Sequence, residues 1–252
     1  MGLVYYQPVE LTFDSCDRTS HVKIPALLAD CLMVSTKQSE QLGRGNDYLM
    51  ERYGLVWVIT DYEMTIHRLP VFGETIKIET EALSYNKLFC YRRFHIYDQT
   101  GALLLDILAY FALLDPKSRK AAVIPDDLVA PYRCPFVKKI QRSSKLKPLE
   151  TPIQQTYPVR YFDIDMNGHV NNSKYLEWMY DALGDAFLGK YRPTQLTLTY
   201  KKEVPPGGSI TSCHLLDGET SYHEIMSNGQ LSAQAKIEWQ PISIESEKTS
   251  DL

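Results

Sequence analysis

Cysteine is scarce in this chain and poorly spaced for cross-linking. The 252 residues include five, Cys16, Cys31, Cys90, Cys134 and Cys213, an odd number with no C-x-x-C pair. Neither a disulfide framework nor a zinc site is expected from that spacing. Long apolar runs are missing as well. The longest, 102–114, is interrupted by Asp106, whereas a membrane-spanning helix needs about 20 residues. The first residues, Met1-Gly2-Leu3-Val4-Tyr5-Tyr6, lack the basic and apolar regions of a secretory signal. Tyr6 stands where a myristoylation motif requires Ser or Thr. Together these absences predict a cytoplasmic protein without a membrane span. Excess charge of one sign is also absent: 27 Lys+Arg face 31 Asp+Glu, a net of −4, which argues against a nucleic-acid partner held by net charge. Gly and Pro number 13 and 14, too few for a collagenous or low-complexity chain. What remains is a globular composition, 44% hydrophobic and 23% charged, sufficient for one large domain or two small ones at about 150 residues each.

The chain carries an internal repeat. Leu11-Thr12-Phe13-Asp14-Ser15-Cys16-Asp17, followed by His21-Val22, has a counterpart in Arg160-Tyr161-Phe162-Asp163-Ile164-Asp165, followed by His169-Val170. Each leads into a helical stretch. Residues 24–42 open with Pro25, a favoured first-turn residue, and space Leu28, Cys31, Leu32 and Ser35 along one face. Residues 172–188 do the same with Tyr175, Leu176, Met179, Leu183, Ala186 and Phe187. Strand-like segments then recur in the same order. Met64–Leu69 with Gly73 matches Leu198–Glu203 with Gly207-Gly208, and hairpin signals at Gly101 and Asn228-Gly229 precede alternating strands. Three matches in register indicate duplication. Each unit reads as one apolar helix and several antiparallel strands. Two units that pair their exposed sheet edges would form one continuous sheet. We therefore expect an N-terminal unit over 1–130, a linker over 131–149, a C-terminal unit over 150–241 and a tail over 242–252.

The linker holds six basic residues and no acidic one. It is thus a positive stripe on an otherwise negative chain, the electrostatic footprint of an anionic partner.

Polar chemistry concentrates ahead of the second helix, in Asp163-Ile164-Asp165-Met166-Asn167-Gly168-His169-Val170-Asn171-Asn172. Asn171 or Asn172 is a natural helix cap. Asp165, Asn167 and His169 alternate, and in an extended segment they would share one face. A histidine flanked by a carboxylate and an amide is a usable cluster for acyl chemistry. Aligned without gaps, the first copy has Cys16, Arg18 and Ser20 opposite these three, and a shift of one residue recovers only His21. Leu69 stands opposite Glu203. One copy thus reads as chemical and the other as apolar.

Asp-x-Asn-x-His-Val-Asn-Asn before a helix, with Leu-Thr-Leu-x-Tyr-Lys-Lys-Glu downstream, resembles the acyl-acyl carrier protein (acyl-ACP) thioesterases over about residues 1–240. The resemblance implies an α+β tandem (double) hotdog, two long central helices wrapped by a continuous antiparallel β-sheet. It implies hydrolysis of the thioester joining a fatty acyl chain to the phosphopantetheine of an acidic acyl carrier protein. Asp165, Asn167, His169 and Glu203 would take the catalytic positions. Plant members carry a Cys directly after the Glu, but Val204 stands here. Water is therefore expected as the nucleophile, with Glu203 and His169 activating it, and neither a cofactor nor a metal is called for. The acyl chain is expected in the first unit, against Trp57, Ile59, Met64, Ile66 and Leu105. Lys138, Lys139, Arg142 and Lys145 of the linker are expected to meet the carrier protein. The resemblance also favours a homodimer. Two rivals are a hotdog enoyl-thioester hydratase or dehydratase, which would leave Glu203 unexplained, and a non-enzymatic acyl-thioester-binding protein.

Overall fold

The computed structural model describes residues 2–166 and 168–242. They divide into two compact units, Met1–Ser144 and Lys145–Leu252. Unit 1 runs β1 (Val4–Glu10), α1 (Ile24–Gln41), α2 (Asn46–Tyr53), β2 (Val56–Ile66), β3 (Thr75–Tyr85), β4 (Cys90–Tyr97), β5 (Leu103–Asp115), a short β6 (Lys120–Ala122) and α3 (Asp126–Val129). Its strands pair antiparallel in the order β1-β3-β4-β5-β2, with β6 on the end of β5. Unit 2 runs β7 (Ile153–Pro158), α4 (Asn172–Leu183), α5 (Asp185–Leu188), β8 (Tyr191–Tyr200), β9 (Ser209–Asp217), β10 (Thr220–Ser227) and β11 (Gln230–Pro241). Its antiparallel order is β7-β9-β10-β11-β8. The two orders are the same, strand for strand. Each unit is a hotdog-like antiparallel sheet with a helix against one face.

In α1, Ile24, Leu27, Leu28, Cys31, Val34, Ser35 and Gln38 are buried, the stripe that a 3.6-residue period projects toward a sheet. Near the end of α1, the Gln38 side-chain amide donates to the Leu3 carbonyl (2.7 Å) and its oxygen accepts from Arg92 Nη1 (2.6 Å). Arg92 Nη1 also donates to Thr80 Oγ1 (3.0 Å), so polar contacts fix the helix on β3 and β4. The helix expected over 172–188 is instead interrupted at Gly184, whose φ of 78° and ψ of 163° leave the helical basin. The chain then resumes as α5.

A bulge between Ile59 and Asp61 shifts the pairing of β2 with β5. The extra residue reverses the strand's alternation. Trp57 and Ile59 before it therefore share a face with Met64 and Ile66 after it, opposite Leu113, Phe111, Ile107 and Leu105 of β5. Arg92 pairs with Ala109 on that same face of β5, so this is the face turned toward α1. The other face of β4 and β5 is covered by the segment that leads out of unit 1. Val137 N–H donates to the Tyr85 carbonyl (2.8 Å), and the Tyr91 hydroxyl accepts from Gln141 N–H (2.9 Å) and donates to the Gln141 carbonyl (3.1 Å). This second face is buried around Tyr91 and Tyr110, while Arg93, His95 and Asp106 farther along it stay partly exposed.

Unit 2 differs in its core. Thr80 faces Phe94 across β3 and β4, and the corresponding pair in unit 2 is His214 and His223. The His223 Nε2 pairs with Ser221 Oγ (2.8 Å), which also accepts from Trp239 Nε1 (2.8 Å). Burial, with a smaller contribution from His214, pushes the pKa of His223 down to about 3 from an ordinary 6.5. Between those values the unfolded chain binds a proton that the folded one refuses. Stability is therefore full above pH 6.5 and falls as the pH drops toward 3, by at most about 1.4 kcal/mol per unit. Replacing His223 with Phe, the residue that unit 1 carries, is expected to flatten this slope. Urea denaturation at pH 7.5 and pH 5 measures it, and an unchanged slope would assign the acid sensitivity to other groups.

Candidate active site

The segment ahead of α4 is a closed turn and not the extended stretch expected. An antiparallel bridge joins Ile164 to Val170. Between them, Asp165 N–H donates to the His169 carbonyl (2.9 Å) and Gly168 N–H to the Asp165 carbonyl (3.0 Å). Gly168 has a φ of 77°, a left-handed conformation that reverses the chain at little cost for glycine. Asn171 caps α4, its side-chain oxygen accepting from Ser173 N–H (2.9 Å). Asn171 N–H donates to the carbonyl of the buried Asp163 (2.8 Å). Asn167 lies outside the described residues.

Glu203 reaches this turn from the loop after β8. The next residue, Val204, is buried and clamped at both ends of its backbone. Its N–H donates to the Tyr175 hydroxyl of α4 (2.8 Å), and its carbonyl accepts from Val170 N–H (3.2 Å). The clamp brings Glu203 Oε2 to 3.4 Å from His169 Nε2, with the two side chains 36% and 35% exposed. The pair is therefore fixed by buried neighbours yet open to water on one side. Burial pushes Tyr175 up to about 12; the Val204 N–H opposes this, and the charge of Asp165 adds to it. The phenol stays protonated and serves as a neutral acceptor. Tyr175 also meets Tyr200 edge-on, ring centroids 5.4 Å apart.

Of the four expected catalytic residues, His169 and Glu203 are thus in contact, and Asp165 closes the turn that carries His169. Tyr175 and Val204 were not anticipated in these roles. A tyrosine in an apolar helical stripe reads as core, and only the tertiary contact reveals its bond to Val204.

Unit 1 repeats the turn bond for bond. Asp17 N–H donates to the His21 carbonyl (2.8 Å), Ser20 N–H to Asp17 (2.9 Å), Lys23 N–H to Ser15 (2.8 Å) and Val22 N–H to Pro70 (2.9 Å), while Cys16 bridges Val22. These bonds make Asp17 and His21 the counterparts of Asp165 and His169. By the same count Thr19 matches Asn167 and Leu69 matches Glu203. The ungapped alignment, which set Cys16, Arg18 and Ser20 opposite the three, is therefore off by one residue. The shared Phe-Asp dipeptides, Phe13-Asp14 and Phe162-Asp163, match in letters but not in structure. Unit 1 keeps the aspartate and the histidine, but has Thr19 in place of the asparagine and Leu69 in place of the glutamate.

Trp57, Ile59, Met64, Ile66 and Leu105 share the α1-facing side of β2 and β5 in unit 1. Met64, Ile66 and Leu105 are buried there, and Trp57 and Ile59 are half-buried. Lys138, Lys139, Arg142 and Lys145 are all exposed. The backbone between them is pinned at Gln141 and, through Ser144 N–H to Glu63 (3.3 Å), at β2. All five cysteines are free, and burial raises every one of their pKa values. That is the opposite of what a thiolate nucleophile requires. Among the described residues, no three His, Cys, Asp or Glu side chains are grouped so as to hold a metal ion.

Comparison with known proteins matches nearly the whole chain to family models. The family model of the acyl-ACP thioesterase N-terminal domain matches residues 2–132, and that of the C-terminal domain matches residues 146–241. The chain belongs to the acyl-ACP thioesterase family. It is similar to the solved structure of a provisionally assigned oleoyl thioesterase from Lactobacillus plantarum, with 29% identity, a TM-score of 0.90, and 96% of this chain and 98% of that one covered. The 12:0-ACP thioesterase of Umbellularia californica shares the fold, with a TM-score of 0.84 at 21% identity over 96% and 99% of the two chains. Among curated relatives, a chloroplastic acyl-[acyl-carrier-protein] hydrolase of Cuphea viscosissima is 26% identical over 89% of this chain. The match spans 59% of that relative's length. Among the described residues of this family member, no helix is long and apolar enough to cross a membrane.

The Val204 clamp makes a stability prediction. Tyr175→Phe leaves a buried backbone N–H without its acceptor, which costs about 1–3 kcal/mol. Chemical denaturation should read a loss of that size, and unchanged stability would mean that the phenol oxygen is dispensable to the clamp.

Proposed function

We propose that this protein hydrolyses the thioester of a fatty acyl chain carried by an acyl carrier protein, releasing the free acid and the carrier thiol. The observation that carries this reading is the His169–Glu203 pair, 3.4 Å apart and open to water at the start of a helix. Glu203, with His169, takes a proton from water as the oxygen attacks the thioester carbonyl. The N-terminal end of α4 supplies the positive dipole that a developing oxyanion needs. Collapse of the tetrahedral intermediate breaks the C–S bond, and the proton held by the pair goes to the leaving sulfur. Asp165 sets the orientation of His169 through the turn. Asn167 is proposed to hold the water or the substrate. No cysteine takes part, in keeping with Val204 after Glu203 and with five thiols whose pKa values burial raises.

The two units are proposed to form a tandem hotdog, the first receiving the acyl chain and the second performing the chemistry. The chain would lie on the α1-facing side of β2 and β5, along Trp57, Ile59, Met64, Ile66 and Leu105. The exposed Lys138, Lys139, Arg142 and Lys145 would meet an acidic carrier. Five free thiols suit a reducing compartment such as the cytoplasm. The hydratase reading leaves Glu203 without a task, and its contact with His169 favours hydrolysis.

A positioned general base contributes about 10²–10⁴-fold. Glu203→Ala and His169→Ala are each expected to lower kcat by that range in a folded protein, measured as thiol release from acyl-carrier substrates. Near-normal turnover in both would remove the pair from the mechanism. A second test addresses the acyl chain. Ile59→Phe should shift the released acids toward shorter chains, read as a product profile over a panel of chain lengths. An unmoved profile would relocate the acyl chain.

A further inference from the structure

The turn that carries His169 has an unusual surface. Tyr161, Phe162 and Met166 are 84%, 88% and 104% exposed, three large apolar side chains within six residues. Exposed apolar groups that cluster mark contact surfaces more often than isolated ones do. The repeat supplies an internal control. By the bond-for-bond match, Tyr161 corresponds to Phe13, itself 81% exposed, but Phe162 and Met166 correspond to Asp14 and Arg18 in unit 1, so the turn does not itself require apolar residues at those two positions. The same holds for charge. Lys201 and Lys202, just before Glu203, are exposed, and among the described residues neither has a carboxylate partner. Their counterparts are His67 and Arg68, and Arg68 is paired with Glu74 at 2.8 Å. Unit 1 has exposed aromatics of its own at Phe13 and Phe72; what the copy with the Glu–His pair adds is Phe162 and Met166 on the turn and, among the described residues, two lysines without a carboxylate partner just before the glutamate.

We propose that this rim, Tyr161, Phe162 and Met166 with Lys201 and Lys202, is the docking face for the part of the carrier protein that bears the thioester arm, in addition to the contact proposed for the linker lysines. The partner it fits is an acidic protein presenting a thioester arm beside a small apolar patch. A thioester on such an arm reaches His169 and Glu203 only if its carrier comes to rest close to this turn. Lysines around an apolar centre then match an acidic surface in sign and add to the rate of encounter. The inference rests on the thioesterase reading, and its test separates the two.

Tyr161→Ser combined with Phe162→Ser leaves both changes at solvent-facing positions, and circular dichroism verifies the fold. Binding is measured by titration with a carrier protein bearing its acyl chain through a non-cleavable amide. Turnover is measured on the acyl-carrier thioester and on the matching acyl-pantetheine thioester. The expected result is a Kd and a KM for the carrier forms raised tenfold or more, with kcat/KM for acyl-pantetheine within twofold of the unaltered protein. An unchanged carrier Kd overturns the docking face. So does an equal loss on both substrates, which would mean that the rim shapes the turn itself. A dimer that becomes a monomer while the carrier Kd holds would assign the rim to self-association and likewise overturn it. Absence of thiol release from either thioester by the unaltered protein, with carrier binding intact, would defeat the thioesterase reading and leave the docking face standing.

Discussion

The candidate site depends on the backbone of one buried residue. Val204 is held through its N–H by Tyr175 and through its carbonyl by Val170. Those two bonds come from the first turn of α4 and from the segment that leads into it. Glu203 is attached to this backbone and His169 to that segment, so their separation is set by backbone bonds and not by two free side chains finding each other. An exposed carboxylate–histidine contact contributes little stability on its own. Here the geometry is fixed by buried groups, and the pair is left free to be useful chemically.

The same backbone pattern exists in unit 1 without the chemistry. Pro70 accepts from Val22 as Val204 accepts from Val170, and Asp17 and His21 are present. But proline has no N–H to donate, so the second half of the clamp has no equivalent, and Leu69 provides no carboxylate. Leu27, at the position of Tyr175, is fully buried and apolar. The three differences form one consistent set: where no carboxylate needs holding, neither the donor nor the acceptor of the holding bond is present.

Much of this architecture was legible in the sequence because the two units repeat. Helix periodicity located α1 and α4, and Gly and Asn-Gly punctuation located the hairpins. The motif Asp165-Met166-Asn167-Gly168-His169 stood out because polar residues rarely crowd ahead of an apolar helix without a task. Three things were not legible. The bulge in β2, which gathers Trp57, Ile59, Met64 and Ile66 on one face, arises from strand pairing and has no sequence signature here. The break at Gly184 separates α5 from a stripe whose periodicity continues across it. The register between the two turns was obscured by identical dipeptides, since the alignment followed letters where the fold follows hydrogen bonds.

The divergence of the two helix–sheet interfaces bears on the division of labour. In unit 1 the α1-facing side of β2 and β5 presents Trp57, Ile59, Met64, Ile66, Leu105 and Ile107, mainly apolar, with the buried Tyr62 opposite Ala109 among them. In unit 2 the sheet turns Ser212 toward α4, where its hydroxyl donates to the Trp178 carbonyl (3.1 Å), and buries His214, His223 and Ser221 nearby. Tyr180 and Phe187 pack against Trp239, with ring centroids 5.5 and 5.2 Å away. Hydrogen-bonded polar groups and interlocked rings resist displacement, because moving one strands a buried donor or acceptor. Aliphatic side chains carry no such penalty and can repack around an inserted hydrocarbon. In unit 1 the polar contacts to the helix, made by Gln38, Arg92 and Thr80, lie on β3 and β4, which leaves the mainly apolar strip on β2 and β5 as the compliant part proposed to accept an acyl chain.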